Sequence, residues 1–571
     1  MPLDDPKCQC FRRGDISTDS NTPTWHLWWR RSHYPLTFAD LEQESLREAL
    51  RLSKQALAVL EQLSEQPERM GSVSWTTVTE LCALHRDQNS PFAVTRGLTD
   101  AEARSLATRS VFVHAVYRLW CSGASHAQCA EQLEHLCKQG ALKEALPKQS
   151  SSFRIEQVTY GRRLSMATQQ MNLDVYRSML QYWTEVQQRS IRLSDDEAER
   201  VVLLEDHQIP VDSGARVHVA RWLADGGCQH PIYVYRLKIR PFIGTTSMDA
   251  ELSFVMANVA RVGPGQVVLD PYVGTGSILV ACAVAGASQL FGSDLDRWVL
   301  YGTSHTARSR HRTQALDRKT CAEPETTKTR ISEHASVGTV PRQLPRITNP
   351  ATSTGKPDWP STRDGATTRL SMLDNFRFYG IPRHQWPELV RMDLLEPAWA
   401  SNAATGERSG WCDAIVCDPP YGIREGTRQA RIRSSKQVDT RQGQRKRAPF
   451  AAHLEALFRL AARVLRPGGR LVLWLPAVAE LTAYDLPRHE ALVYFGTPCC
   501  QRMRGGLRRY LLVLVKKASA NALPDPNVQN EVFYKEAPPR YQRAHENLAA
   551  RLFGVAERDE QHLRPRSFCQ R

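Results

Sequence analysis

Gln266-Val-Val-Leu-Asp270 is a short apolar run that ends in an acid, and Pro271-Tyr-Val-Gly-Thr-Gly276 follows it as a glycine-rich turn. Ser277 to Ala285 is apolar at helical length, and Gln289-Leu-Phe-Gly-Ser-Asp294 is a second run closed by an acid. Strand, turn, helix and strand make a βαβ unit. Such a unit implies a parallel, doubly wound α/β sheet.

Sheet-like sequence resumes downstream in Glu388-Leu-Val-Arg-Met-Asp393, Trp411-Cys-Asp-Ala-Ile-Val-Cys-Asp418, Gly469-Arg-Leu-Val-Leu-Trp-Leu475 and Tyr510-Leu-Leu-Val-Leu-Val515. His453 to Leu465 reads as a helix stopped by the breaker cluster Arg466-Pro-Gly-Gly469. Arg308 to Arg369 interrupts this pattern. It is rich in Thr, Ser, Arg and Pro, and Trp359 is its only aromatic. It carries too little apolar surface to fold alone and is expected to be a disordered insertion.

Upstream, Trp25-His-Leu-Trp-Trp29 reads as a strand, with Trp25, Trp28 and Trp29 as core or interdomain aromatics. Leucines at helical spacing predict a helix over Phe38–Leu63, and Ala124–Cys137 predicts another. Ser110–Tyr117 mixes strand and helix signals, whereas Ser152–Val158 alternates like a strand. The first 230 residues therefore suggest one or two small α/β units. No internal repeat is present.

The chain has 571 residues, 42% hydrophobic and 24% charged, enough for several ordinary cores. Its 75 Lys+Arg against 60 Asp+Glu give a formal charge of +15, which suits a polyanionic partner or solvated basic tails. The fourteen cysteines include no C-x-x-C pair, so a zinc ribbon is not expected, and the thiols read as reduced and intracellular. No apolar run reaches membrane-spanning length, and Met1–Ser20 lacks the apolar core of a secretory signal. Membrane, secreted and fibrous classes are excluded on these grounds. No metal is expected in this chain, since no His or Cys residues stand at ligand spacing.

The chemistry starts at the first turn. Gly274 and Gly276 allow close backbone approach and supply amides at a helix start. The lysine of a phosphate-binding loop and the third glycine of a dinucleotide fingerprint are both absent. The turn opens instead on Asp270, which suits an amino-acid-like cofactor with a cationic amine, such as S-adenosylmethionine. Asp294 or Asp296 then stands where an acid binds ribose hydroxyls. Alone, this loop also fits a structural turn or another nucleotide site.

Asp418-Pro-Pro-Tyr421 carries a sharper signal. It follows a buried strand, so it lies at the carboxyl end, where open sheets bind ligands. Pro419 and Pro420 lack N–H groups and stiffen the backbone. The Asp418 carboxylate and the Pro419 carbonyl can both accept from one planar amine, and Tyr421 offers a ring for base stacking. An exocyclic amine is a weak nucleophile, and two fixed acceptors orient it and relieve its developing charge. Alone, the motif also suits a plain Pro-Pro turn.

Asp418-Pro-Pro-Tyr-Gly-Ile-Arg-Glu425 resembles the signature of eukaryotic and archaeal tRNA guanine-N2 methyltransferases that act on guanosine at position 10. Ile243-Gly-Thr-Thr-Ser-Met-Asp-Ala-Glu-Leu-Ser253, Asp270–Gly276, Gly292-Ser-Asp-Leu-Asp296 and Gly468–Pro476 fit the family in order, as does Val219–Gly226. The match spans roughly residues 25 to 518 outside the insertion. Tyr272, where the family often has Phe, and Thr245, where it often has Asn, depart from the pattern.

The resemblance implies a Rossmann-like class I S-adenosylmethionine-dependent methyltransferase domain, preceded by a ferredoxin-like unit and an RNA-binding THUMP domain. The implied division is a flexible tail at 1–23, the ferredoxin-like unit at 24–150 and the THUMP-like domain at 151–230. The methyltransferase domain would follow at 231–518, interrupted at 308–369, with a polar tail at 519–571. Asp270, Tyr272, Gly274, Gly276, Asp294, Asp296 and Asp393 would hold the cofactor, with Asp393 toward the adenine. Asp418, Pro419, Pro420 and Tyr421 would form the catalytic group, and Tyr421, Arg424 and Glu425 would meet substrate. The implied partners are tRNA and a small zinc-binding activator subunit, and the implied location is the cytoplasm. The nine Lys and Arg residues of Arg424–Arg447 would guide the phosphate backbone or form a solvated loop. The alternatives are another tRNA or rRNA guanine, an adenine-N6 activity, and a non-catalytic RNA-binding protein.

Overall fold

The computed structural model describes residues 24–30, 37–50, 91–302, 370–421 and 450–517. Short breaks fall at 141, 143–144, 148–149, 193–196, 209–215, 228–233, 245, 398, 400–409, 483–484 and 504–505. The expected tails, the 308–369 insertion, Arg424, Glu425 and the rest of the basic run lie outside the described residues. The chain divides into two compact units, one built mainly on Leu46–Pro231 and the other mainly on the chain from Ile232 onward, with Asp40–Ser45 added.

The first unit holds strands β1 (Thr24–Arg30), β2 (Phe92–Leu98), β3 (Val113–Gly123), β4 (Ser152–Tyr160), β5 (Ser190–Ile191), β6 (Glu199–Asp206) and β7 (Val217–Asp225). They form one sheet in the order β2-β1-β3-β7-β6-β4-β5. The position expected to divide the unit, between 150 and 151, separates β3 from β4, yet both strands belong to this sheet. The helix expected from Phe38 runs over 37–50, and the remainder of that span lies outside the described residues. The ambiguous Ser110–Tyr117 stretch resolves as the start of β3.

Helix α1 (Asp100–Arg109) begins where the Thr99 hydroxyl accepts from Glu102 N and the Glu102 carboxylate accepts from Thr99 N. That reciprocal cap satisfies two of the helix's orphan donors. Trp120, Leu133, Phe153 and Trp183 form one core, and Trp28, Leu106, Val116 and Leu223 another. Trp28 is buried and donates to Thr95 at 2.8 Å, so its indole serves the core.

The second unit holds β8 (Val267–Asp270), β9 (Gln289–Asp294), β10 (Glu388–Arg391), β11 (Cys412–Cys417), β12 (Leu465–Ala477), β13 (Leu492–Tyr494), β14 (Cys499–Arg502) and β15 (Arg508–Lys516). Their order is β10-β9-β8-β11-β12-β15-β13, with β14 also paired to β15. The five strands from β10 to β12 are parallel, and β15 runs antiparallel to β12. Helix α2 (Ser277–Val284) is apolar on every side because it is buried, as its sequence requires. Helix α3 (Phe450–Val464) places Phe450, Leu454, Leu457, Leu460, Ala461 and Val464 on one stripe against the sheet. Its end meets the Arg466–Gly469 breaker, which is accommodated as a register shift between β11 and β12. The strand order reverses direction between β8 and β11, and ligands bind at such a switch point.

Candidate active site

Three acids end or closely follow neighbouring parallel strands. Asp270 ends β8 and is 1% exposed. Its Oδ1 accepts from Tyr272 N at 3.0 Å, and its buried Oδ2 has no partner among the described residues. Burial, with Asp294 and Asp418 nearby, pushes this carboxyl well above the usual carboxylate range. An orphaned, buried, acceptor-only oxygen calls for a cationic donor. Asp294 ends β9 and accepts from Gly274 N at 3.1 Å and from Asp296 N at 2.9 Å. Asp393 follows β10 and accepts from Leu395 N at 3.1 Å.

The glycine turn between β8 and α2 is left-handed at Gly274 (φ 47°) and Gly276 (φ 77°). A Cβ on Gly276 would stand 2.7 Å from the Met372 methyl. Ser247 Oγ lies 2.7 Å from Thr275 Oγ1 and accepts from Gly244 N at 2.8 Å, so the Ile243–Ser247 segment docks on the turn. Asn375, in the Met372–Phe378 helix, fastens the two together. It accepts from Phe242 N at 2.9 Å and donates to Phe242 O at 2.9 Å and to Thr275 O at 3.0 Å. Arg240 bonds Ser277 Oγ and also donates to Tyr235 O at 3.0 Å. Neither Asn375 nor Arg240 was expected from the sequence, because both act through contacts distant along the chain.

Tyr272 makes a further unexpected contact. Its hydroxyl lies 3.1 Å from Nδ1 of His453, on α3. His453 is buried, and burial lowers its pKa. Phe at position 272 would lack this contact.

Asp418 follows β11, the neighbour of β8. Its Oδ1 accepts from the Tyr421 hydroxyl at 2.5 Å, and its Oδ2 lies 3.4 Å from Arg509 Nη1. Pro419 is buried, while Asp418, Pro420 and Tyr421 are half-buried. Asp270 and Asp418, separated by more than a hundred positions in sequence, thus stand at the same end of adjacent strands.

These features have counterparts in known proteins. The Tmrp11 THUMP N-terminal domain model matches residues 68–227, and the RMKL-like methyltransferase domain model matches residues 238–332. The Homo sapiens protein named tRNA (guanine(10)-N(2))-methyltransferase TRMT11 is 27% identical over 445 residues, covering 75% of this chain and 80% of that protein. The chain joins a THUMP N-terminal domain to a methyltransferase domain. The Dictyostelium discoideum protein of the same name as the human one is 25% identical over 494 residues, covering 82% of this methyltransferase and 81% of that chain. Among solved structures, TrmN from Thermus thermophilus aligns at 15% identity with a TM-score of 0.31, over 87% of this chain and 100% of that one.

The cofactor expected at this site is S-adenosylmethionine. The residues present fit it, since Asp270 Oδ2 offers a buried carboxylate oxygen to its amine. Among the described residues, no group of His, Cys, Asp and Glu could hold a metal ion. No helix among them is long and apolar enough to cross a membrane.

Proposed function

We propose that this methyltransferase methylates the exocyclic N2 amine of the guanosine at position 10 of tRNA, forming N2-methylguanosine. The observation that carries the reading is the Asp418 carboxylate at the end of β11, beside the cofactor acid on β8. The relatives named tRNA (guanine(10)-N(2))-methyltransferase support the same product. Bound S-adenosylmethionine supplies an electrophilic sulfonium methyl, and transfer leaves a thioether and one proton to be lost from the nitrogen.

Asp270 holds the cofactor amine, Asp294 and Asp296 face the ribose, and Asp393 approaches the adenine. Asp418 and the Pro419 carbonyl accept from the two amine hydrogens and aim the nitrogen lone pair at the methyl. The carboxylate also stabilises the positive charge that grows on that nitrogen. Pro420 fixes the turn, Tyr421 presents its ring to the base, and Arg424 and Glu425 contact substrate. The target base leaves its pair to enter the site, at a cost of a few kcal/mol.

Residues 24–150 and 151–230, as ferredoxin-like and THUMP-like parts of one sheet, would dock the tRNA by shape. A small zinc-binding activator subunit is the expected protein partner. Fourteen cysteines in 571 residues, with no C-x-x-C pair, accord with the reducing cytoplasm.

Labelled S-adenosylmethionine and bulk tRNA, with and without the activator, followed by nucleoside digestion and mass spectrometry, test this reading. N2-methylguanosine at position 10 is the expected product. N6-methyladenosine, or no product with RNA still bound, would overturn it. Asp418→Ala should lower turnover at least about 100-fold and leave cofactor affinity within about threefold.

A further inference from the structure

The strand-end acids of the second unit are held in two different ways. Asp270, Asp294 and Asp393 each accept from the backbone N–H two residues on, at 3.0, 2.9 and 3.1 Å. This local turn fixes a carboxylate without help from the rest of the fold. Asp418 has no such donor available, because residue 420 is proline. The motif that stiffens the backbone therefore leaves its own carboxylate to be fixed by side chains.

Arg509 meets that need. It lies on β15 opposite Gln501 of β14, and its Nε donates to Gln501 Oε1 at 2.6 Å. Its guanidinium carbon sits 4.4 Å from the centre of the Trp474 ring. Trp474 is fully buried and donates to Met256 Sδ at 3.1 Å. The guanidinium is thus stacked on a rigid ring and tethered across the strand pair, with Nη1 aimed at Asp418 Oδ2 at 3.4 Å. The Arg509 side chain is only 10% exposed, against 23% for Asp418. That burial argues against a phosphate contact.

We infer that Arg509 is the positioning residue of the methyl-transfer site, holding the Asp418 carboxylate at the angle from which it receives the target amine. The inference rests on the guanine-N2 reading above. Tyr421 fixes the other carboxylate oxygen, and Gln501 and Trp474 fix Arg509. A carboxylate held on both oxygens spends no free energy on reorganisation when the amine arrives.

Steady-state kinetics of Arg509→Gln, Arg509→Lys and Gln501→Ala test the assignment, with Arg508→Gln as control. Arg508 pairs instead with the exposed Glu480. Arg509→Gln should lower kcat about 10- to 100-fold and leave both KM values within about threefold, with Arg509→Lys recovering part of the loss. Gln501→Ala should show the same kcat-only defect, about threefold, and covers the case in which Arg509→Gln does not fold. The control should keep its kcat.

A raised KM for tRNA with unchanged kcat would make Arg509 an RNA contact and overturn the inference. So would equal kcat losses in the Lys and Gln variants that track a lowered melting temperature. Wild-type protein that makes no N2-methylguanosine would remove the functional reading itself. Wild-type activity with an unimpaired Arg509→Gln would remove only this inference.

Discussion

Asp270 and Asp418 are the same residue type at the same end of neighbouring strands, but their surroundings give them different work. Asp270 is sealed in, with one oxygen unpaired among the described residues, while Asp418 is half-buried and held from both sides. A buried charge without a partner costs stability until a cation arrives. Asp270→Asn should therefore weaken S-adenosylmethionine binding at least about tenfold in a calorimetric titration. The same variant should melt no lower than wild type without ligand. Since burial raises the Asp270 pKa, protonation removes its negative charge at a higher pH than for an ordinary carboxylate. Cofactor affinity should accordingly fall on acidification earlier than an unperturbed aspartate would allow, and Asp270→Asn should abolish that dependence.

At the level of elements, the glycine turn depends on pieces that fold far from it in sequence. Asn375 joins Phe242 and Thr275 with three hydrogen bonds, at sequence separations of 133 and 100. Asn375→Ala strands these buried groups, at about 1–3 kcal/mol each for those left unpaired. Differential scanning should show a lower melting temperature, and limited proteolysis should cut faster between residues 240 and 250. Both acid-ended strands and the turn between them were readable because their signals are local: apolar run, acid, glycine. β9 matches its expected bounds, and Asp418 stands just past β11 as expected. Asn375, Arg240 and His453 were not readable, since each has meaning only through a partner that the fold brings to it. The strands β2, β6 and β7 were missed for a related reason. Their alternation is blurred because the first unit's sheet is packed on both faces, with Val202 and Leu204 buried on one side and Val201 and Leu203 on the other.

Across the whole molecule, charge and proton uptake give two solution tests. The formal charge of +15 predicts that tRNA affinity falls as salt rises, by at least about tenfold between 50 and 200 mM if several phosphates are contacted. A flat response in a filter-binding series would count against phosphate-led docking. In the first unit, His218 is buried beside Ser122 Oγ at 2.8 Å, and burial lowers its pKa from 6.5 to about 4. The unfolded chain then takes up a proton between those values that the folded chain refuses, so stability declines as pH falls from 6.5 toward 4. His218→Gln should flatten that decline in thermal scans.

The strands that lead to the site acids, β10, β9, β8 and β11, are spaced by the backbone ladder, at about 4.8 Å per strand. The connecting segments do not set that spacing. The lateral spacing of the site is therefore a property of the sheet, and it holds whatever the length of the connections between strands.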